Sequence, residues 1–218
     1  MSFATRHRDD AKPSLAPLHG LLVRREDDAF VMATLQERTM EEMQRRFASG
    51  HRAYVATLDG VPAAWGWVAT RVASIGELRA TFAIPAGERY LWNFVTRPEY
   101  RGLGIYPRLL EAILASESLE AARFWIAYAP ENHASAAGIR KSGFRAVAEL
   151  SFDALGNAAV RSLGDEGMAA SRVLGLPVVE APLAPCWKCI RAGKSADRAC
   201  REGQCCCDYQ QPERGCAA

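Results

Sequence analysis

The sequence predicts a mixed α/β domain: one sheet with helices on its faces, followed by a small cysteine-rich tail. Three observations predict it. Runs rich in Val, Trp, Tyr and Phe with strand-like patterning occur around residues 52–72, 90–96 and 124–129. Segments with apolar residues at helical spacing are interleaved with them, as a helix-covered sheet requires. All seven cysteines lie at or beyond Cys186, which separates a cysteine-free body from a chemically different end. With 49% hydrophobic and 24% charged residues in 218, the chain can bury a core and is not of the disordered class.

The elements follow in order. Residues 1–17, with Pro13 and Pro17 and little apolar content, read as a flexible arm. Leu18–Val23 reads as a first strand. Asp27 and Asp28 can cap a helix through Phe30, Val31 and Leu35. Thr39 followed by Glu42 fits a capping box for a second helix carrying Met40, Met43 and Phe47, closed by Gly50. Arg52–Leu58, the Asp59-Gly60 turn and Val61–Val72 read as a β-hairpin, because this dipeptide tolerates the positive φ angles of a type I′ turn. Arg79–Ile84 is a strand or part of a loop. Tyr90–Thr96 is strongly β-prone, and Phe124–Ala129 is apolar on both faces, as a central strand would be. Between them Ile105, Leu109, Leu110, Ile113 and Leu114 form one helical stripe. A short helix over His133–Lys141 ends before Gly143, and Phe144–Phe152 with Ala158–Leu163 forms a closing hairpin around Gly156-Asn157. Residues 164–185 form a linker with a short helix near Glu166–Leu174, and 186–218 form the tail.

Charge excludes a dominant nucleic-acid function. The net charge is +2, and that excess sits in the tail, leaving 21 basic and 21 acidic residues before it. A nucleic-acid surface would need a concentrated basic face. No apolar run reaches the roughly 18–20 residues of a membrane span, and the charged N-terminus has no signal core. The expected setting is the cytoplasm, without membrane or nucleic-acid partners.

The segment richest in chemistry is Tyr90–Leu110, YLWNFVTRPEYRGLGIYPRLL. A strand enters a basic loop holding Gly102 and Gly104, and a helix begins at once. Glycines let the backbone turn tightly and approach a ligand, and the first helical amides, lacking intrahelical partners, form an anion site. Pro107 fits the first turn, and Arg97, Arg101 and Arg108 supply charge suited to a diphosphate. A Walker loop is absent. A dinucleotide fingerprint fails where its third glycine should stand, at Pro107.

Arg101-Gly102-Leu103-Gly104-Ile105-Tyr106, preceded by Val95-Thr96-Arg97-Pro98-Glu99-Tyr100, resembles the phosphate-binding pattern of the GNAT superfamily of N-acetyltransferases. Asn132-His133-Ala134-Ser135, with Lys141-Ser142-Gly143-Phe144, resembles the family's second motif. The resemblance covers residues 18–163 and implies a mostly antiparallel sheet whose two central parallel strands, Tyr90–Thr96 and Phe124–Ala129, splay apart around acetyl-CoA. It implies that the amides of Leu103, Gly104, Ile105 and Tyr106, with Gly102 and Arg101, hold the pyrophosphate. It also implies that main-chain groups of Phe94, Val95 and Thr96 pair with the pantetheine, that the Val95 N–H polarises the thioester carbonyl, and that Asn132 and Ser135 form the opposite wall.

The chain departs from that pattern in three places. Ile139 stands where many members have a tyrosine acid, Ala127 where ribosomal-protein-type members have a glutamate, and Tyr106 where the loop ends in a small residue. Candidates for the vacant roles are Tyr128, Tyr106 and His133, with Glu77 and Glu88 as distant bases. Asn93, facing opposite Trp92 and Phe94 on a regular strand, is a candidate for positioning water. Each also has a plain structural reading, as core or surface. Trp65, Trp67, Trp92 and Trp125 are either core or an aromatic acceptor pocket.

In the tail, Cys186-Trp-Lys-Cys189 has the spacing of a zinc knuckle. Cys205 and Cys207, or Cys200 and Cys205, can supply the second pair, and an iron–sulfur centre or a two-metal cluster stays open. The resulting expectation is an acetyl-CoA-dependent N-acetyltransferase for a small-molecule primary amine, with homodimerisation left open. Its alternative is a catalytically weak CoA-binding regulator or adaptor that uses the tail for interaction.

Overall fold

The structure is a computed structural model and describes residues 1–153 and 155–180. The cysteines at 186, 189, 200, 205 and 207, and with them the metal reading, lie outside the described residues. Ten strands and five helices follow in order: β1 (Ser2–His7), β2 (Leu21–Glu26), α1 (Ala29–Gln36), α2 (Met40–Ala48), β3 (His51–Leu58), β4 (Val61–Ala69), β5 (Val72–Ile75), β6 (Ala80–Ala83), β7 (Glu88–Thr96), α3 (Ile105–Glu117), β8 (Arg123–Tyr128), α4 (His133–Lys141), β9 (Arg145–Phe152), β10 (Ala158–Ser162) and α5 (Asp165–Leu174). Eight strands form one sheet in the order β10-β9-β1-β8-β7-β4-β3-β2, and β5 pairs with β6 alone. Every neighbouring pair is antiparallel except β7 and β8, which run parallel.

Local chemistry explains most boundaries. Asp28 caps α1 by accepting from the Phe30 and Val31 amides, and Thr39 caps α2 through the Glu42 amide. Glu42 completes no reciprocal box; its carboxylate pairs with Arg46 instead. Asp59 and Gly60 both have positive φ, 50° and 81°, as the type I′ turn between β3 and β4 demands. The stripe from Ile105 to Leu114 is buried along α3 against one face of the sheet. α1 and α2 cover the other face beside β3 and β4, with Met32, Met43 and Trp67 fully buried there. The β5–β6 hairpin and α5 cover the rest of that side.

Several expectations are revised. The flexible arm over 1–17 gives way in its first part to β1, which sits inside the sheet between β8 and β9. Phe3, Ala4, Thr5 and Arg6 are all buried. The arginine is tolerated because its guanidinium meets Glu111 of α3 and the Ser142 carbonyl at the end of α4. One charged residue thereby ties two helices to the centre of the sheet. The strand read at Leu18–Val23 is shifted to Leu21–Glu26, and the strand read through Val72 breaks after Ala69, where Thr70 and Arg71 lead into β5. α5, at the place read as a linker helix, packs on β9, β10 and β6.

The site is made by an interruption in β7. Its register to β8 runs from Glu88–Arg123 to Leu91–Ile126 and stops. Against β4 the register jumps between Trp65–Val95 and Trp67–Trp92, so Asn93 and Phe94 both oppose Gly66. Asn93 has φ +52°, a bulge conformation that asparagine tolerates better than most residues. Gly66 is required opposite it: a Cβ there would lie 2.1 Å from the Phe94 ring. From Trp92 onward β7 has no partner on its β8 side, and the two parallel strands part.

Candidate functional site

The fork opens beside the start of α3. After Thr96 a short 3₁₀ turn, Pro98–Tyr100, leads to Arg101, and then Gly102 and Gly104 take positive φ angles of 81° and 71°. A Cβ at Gly102 would meet nothing within 4 Å, so its glycine is needed for conformation and not for space. Gly104 caps α3 without a side chain. The N–H groups of Leu103, Gly104, Ile105 and Tyr106 therefore have no main-chain acceptor among the described residues.

A cavity of ≈ 630 Å³ runs from this loop to the face of α4. Of the residues expected to bind a cofactor, Phe94, Val95, Thr96, Arg101, Gly102, Gly104, Ile105, Tyr106, Asn132 and Ser135 line it, and only Leu103 does not. Arg97 and Arg108, expected to add charge, are used elsewhere. Arg97 bonds the Pro62 carbonyl at 3.2 Å and pairs with Glu99 at 3.3 Å. Arg108 donates to the Gly104 and Ala16 carbonyls. The basic groups facing the cavity are Arg101, held by one bond to the Thr96 carbonyl at 3.2 Å, and Lys141 of α4. Lys141 appears in the second sequence motif, but its place opposite Arg101 depends on the packing of α4.

The register decides which backbone groups face the gap. The Arg97 N–H bonds the Ala63 carbonyl at 2.9 Å, and Ala64–Thr96 and Trp65–Val95 are the next pairs. In an antiparallel ladder hydrogen-bonded pairs alternate, so Val95 also points its polar groups at β4. Phe94 and Thr96 point theirs into the gap. By this alternation the Val95 N–H, expected to polarise a carbonyl, belongs to the ladder with β4, and the Phe94 N–H becomes the candidate on the gap side.

A second cavity of ≈ 600 Å³ opens on the α1 side of the fork. All three candidate catalytic residues, Asn93, Tyr106 and Tyr128, line it. Asn93 does not face away from Trp92, because the bulge turns it to the same side, where its Nδ2 donates to Gln36 Oε1 at 3.2 Å. Gln36 is a hub that sequence reading missed. The same oxygen accepts from Trp67 Nε1 and from Arg46, each at 3.2 Å. Arg46 in turn lies over the rings of Trp67 and Trp92, 5.1 and 4.8 Å from their centroids.

Tyr106 stands between the two cavities and lines both. Its ring packs on Phe94, with centroids 5.4 Å apart, and on bare Gly138, where a Cβ would lie 2.4 Å from the ring. Burial pushes the phenol above its usual range, against the smaller lowering influence of the Ser135 side chain. The bulk at position 106 is thus accommodated by a missing side chain at 138. Ile139 is buried in the core and lines neither cavity, so the vacant acid position cannot act from there. Asn132 caps α4 by accepting from the Ser135 amide at 3.0 Å, which leaves its NH₂ group to offer a ligand.

The remaining candidates separate. Glu77 lines the second cavity, whereas His133 lines neither and the Glu88 carboxylate accepts from Trp125 Nε1. Trp65 and Trp92 line the second cavity, while Trp67 and Trp125 are fully buried. His51 accepts from Trp92 Nε1 at 3.1 Å, and burial, with Arg46 and Arg71 nearby, lowers its pKa below the ordinary 6.5.

The model of the family described as acetyltransferase (GNAT) family matches residues 19–144. No curated protein matches the chain. Similar solved structures include an acetyltransferase of the GNAT family from Novosphingobium aromaticivorans, 20% identical over 66% of this chain and 59% of that one, with a TM-score of 0.46. A GCN5-related N-acetyltransferase from Kribbella flavida is 15% identical over 66% and 53%, with a TM-score of 0.41. An aminoglycoside 6′-N-acetyltransferase from Acinetobacter baumannii is 16% identical over 62% and 97%, with a TM-score of 0.45. The chain thus spans less than two thirds of the length of the first two. Among the described residues no helix is long and apolar enough to cross a membrane.

Proposed function

The chain belongs to the acetyltransferase (GNAT) family, and from that membership we propose that it transfers an acetyl group from acetyl-CoA to the primary amine of a small molecule. The observation that carries this reading is the fork itself, an unpaired strand edge running directly into a two-glycine turn with free amides. The residues fit the donor. The Leu103–Tyr106 amides, Arg101 and Lys141 suit its phosphates, and the gap-facing groups of Phe94 and Thr96, with the Asn132 NH₂, suit the amides of its pantetheine arm.

Bound acetyl-CoA supplies an acyl thioester, whose thiolate is a fair leaving group because a free thiol has a pKa of about 8.5. The chain's task is to place and polarise. Phe94 N–H faces the carbonyl oxygen. The amine nitrogen forms the C–N bond as the C–S pair leaves on sulfur, and the nitrogen gives up one proton. Tyr106, a buried phenol that stays protonated, and Tyr128 on the facing strand offer O–H hydrogen bonds to the departing sulfur, which leaves as thiolate. The amine proton passes to water, with Asn93 positioned beside that path. The cysteine-rich tail, on the Cys186–Cys189 spacing alone, is proposed to bind zinc through four of Cys186, Cys189, Cys200, Cys205 and Cys207.

Native mass spectrometry with acetyl-CoA, paired with a thiol-release assay over an amine panel, tests this. The expected result is a one-to-one donor adduct, weakened roughly tenfold in Arg101→Ala by loss of one charge-assisted contact, with coenzyme A released by at least one amine. No adduct would overturn the reading. An adduct without release from any amine would favour the regulator or adaptor alternative. The same spectra read the tail, where a mass excess matching zinc is expected and loss of thiol protons alone would mean disulfides.

A further inference from the structure

The cavity on the α1 side of the fork, where the acceptor would lie, has a lopsided set of polar groups. Arg38 and Arg46 line it, with Glu77 as the one acid among its described lining residues. Arg46 is held by Glu42 at 2.6 Å and by Gln36, and stacked on two indoles. Arg38 is exposed and has no side-chain partner among the described residues. Its position is set by the end of α1. Glu37 adopts a left-handed conformation with φ 53°, and the Arg38 N–H folds back to the Ala33 carbonyl at 3.0 Å, which directs the chain past the cavity mouth.

Donors are in surplus there. The Gln36 carbonyl already accepts from Trp67, Arg46 and Asn93 and is saturated. Trp65, only 7% exposed and part of the same lining, has a buried indole N–H with no partner. Cationic side chains outnumber anionic ones in this lining, with Arg38 and Arg46 against Glu77, so a ligand that brings negative charge complements it.

We propose that the acceptor is an amine that also carries a carboxylate, an amino-acid-like molecule, with Arg38 as the residue that selects it. This rests on the acetyltransferase reading of the site. The arrangement disfavours polycations, since two guanidinium groups face a single carboxylate. It also helps with the missing base: cations near the amine disfavour its protonated form.

The test is calorimetric titration of the CoA-loaded protein with the common α- and ω-amino acids, each beside its primary amide, and with spermidine and kanamycin. Thiol release is measured on the same panel with acetyl-CoA. At least one amino acid should bind roughly tenfold or more tighter than its amide, as loss of a charge-assisted contact implies. Arg38→Gln should erase that ratio by weakening the acid alone, and Arg38→Lys should retain most of it. Equal binding of acid and amide, tighter binding of the polycations, binding of none, or an Arg38→Gln effect that is the same for both members overturns the proposal. Selective, Arg38-dependent binding without thiol release would uphold it while the transferase reading fell.

Discussion

The two halves of β7 are built from the same strand and hold their charges in opposite ways. In the half from Glu88 to Leu91, paired to β8, every charge is answered by the protein. Glu117 of α3 is 1% exposed and accepts from Arg89 and Arg52, each at 2.8 Å, and from the Tyr54 hydroxyl at 2.7 Å. Glu120 takes the other ends of both arginines. In the half from Trp92 to Thr96 donors are left over: the Phe94 and Thr96 edge, the amides of the glycine turn, Arg101, Lys141, and the Trp65 indole. The closed half spends its polar groups on stability, and the open half keeps them for a ligand. The fork is thus a boundary between satisfied and unsatisfied hydrogen bonding, set by a single inserted residue at Asn93.

The largest effect expected is at Glu117. Glu117→Ala strips the buried partner from Arg89 and Arg52, and removing one member of a buried pair costs about 3–5 kcal/mol. Urea denaturation should show that loss, while acetyl-CoA affinity of the folded fraction changes little, since no part of the network lines the donor cavity. A loss below about 1 kcal/mol, the scale of exposed pairs, would mean that the closed half is not the anchor.

The next effect tests how Tyr106 is held. Gly138→Val places a Cβ where the phenol ring lies, so the ring must leave its slot, with an overpacking cost of about 1–3 kcal/mol. Donor affinity should fall with stability. Combining it with Tyr106→Ala should recover stability, because the two positions share one volume, and a double-mutant cycle reads this coupling directly. Additive losses would show that ring and helix do not contend for the space. Tyr106→Phe, which keeps the ring and removes only the hydroxyl, separates packing from hydrogen bonding to the departing sulfur: kcat should fall with the KM for acetyl-CoA unchanged.

Much of this site was legible because its signals are local. A two-glycine turn, the helix that begins directly after it and the short helix ended by Gly143 are each written in a few consecutive residues, and the structure places α4 over His133–Lys141 as read. What escaped depends on partners far along the chain. β1 was missed because a short segment containing a buried arginine looks solvated until Glu111 and Ser142 are brought to it. The parity that turns Val95 toward β4 and Phe94 into the gap cannot be known without the β4 register. The Gln36 hub joins residues from α1, α2, β4 and β7, none of which has a sequence pattern of its own.

The bulge itself gives a smaller, sharper test. Asn93 sits at φ +52°, where a β-branched side chain is strained by roughly 1–2 kcal/mol and glycine is not. Asn93→Val should destabilise by about that amount, whereas Asn93→Gly should lose little beyond one exposed bond to Gln36. Similar losses for both in a thermal melt would mean that the bulge conformation is not what position 93 provides.

The smallest effect concerns the hinge residue between the halves. Trp92 is the first residue beyond the paired register, and His51 fixes its indole by accepting from Nε1, which requires an unprotonated Nδ1. Burial first, then Arg46 and Arg71, hold the His51 pKa below its ordinary 6.5. The unfolded chain therefore takes up this proton at a higher pH than the folded one, and the histidine's contribution is complete above about 6.5 and lost as pH falls through the folded pKa. His51→Gln keeps an acceptor for Trp92 but cannot titrate. The drop in Tm between pH 7.5 and pH 5.5 should be smaller in the variant than in the parent, and at pH 7.5 the two should lie close together. Equal drops would show that the proton at His51 is not coupled to holding Trp92 at the fork.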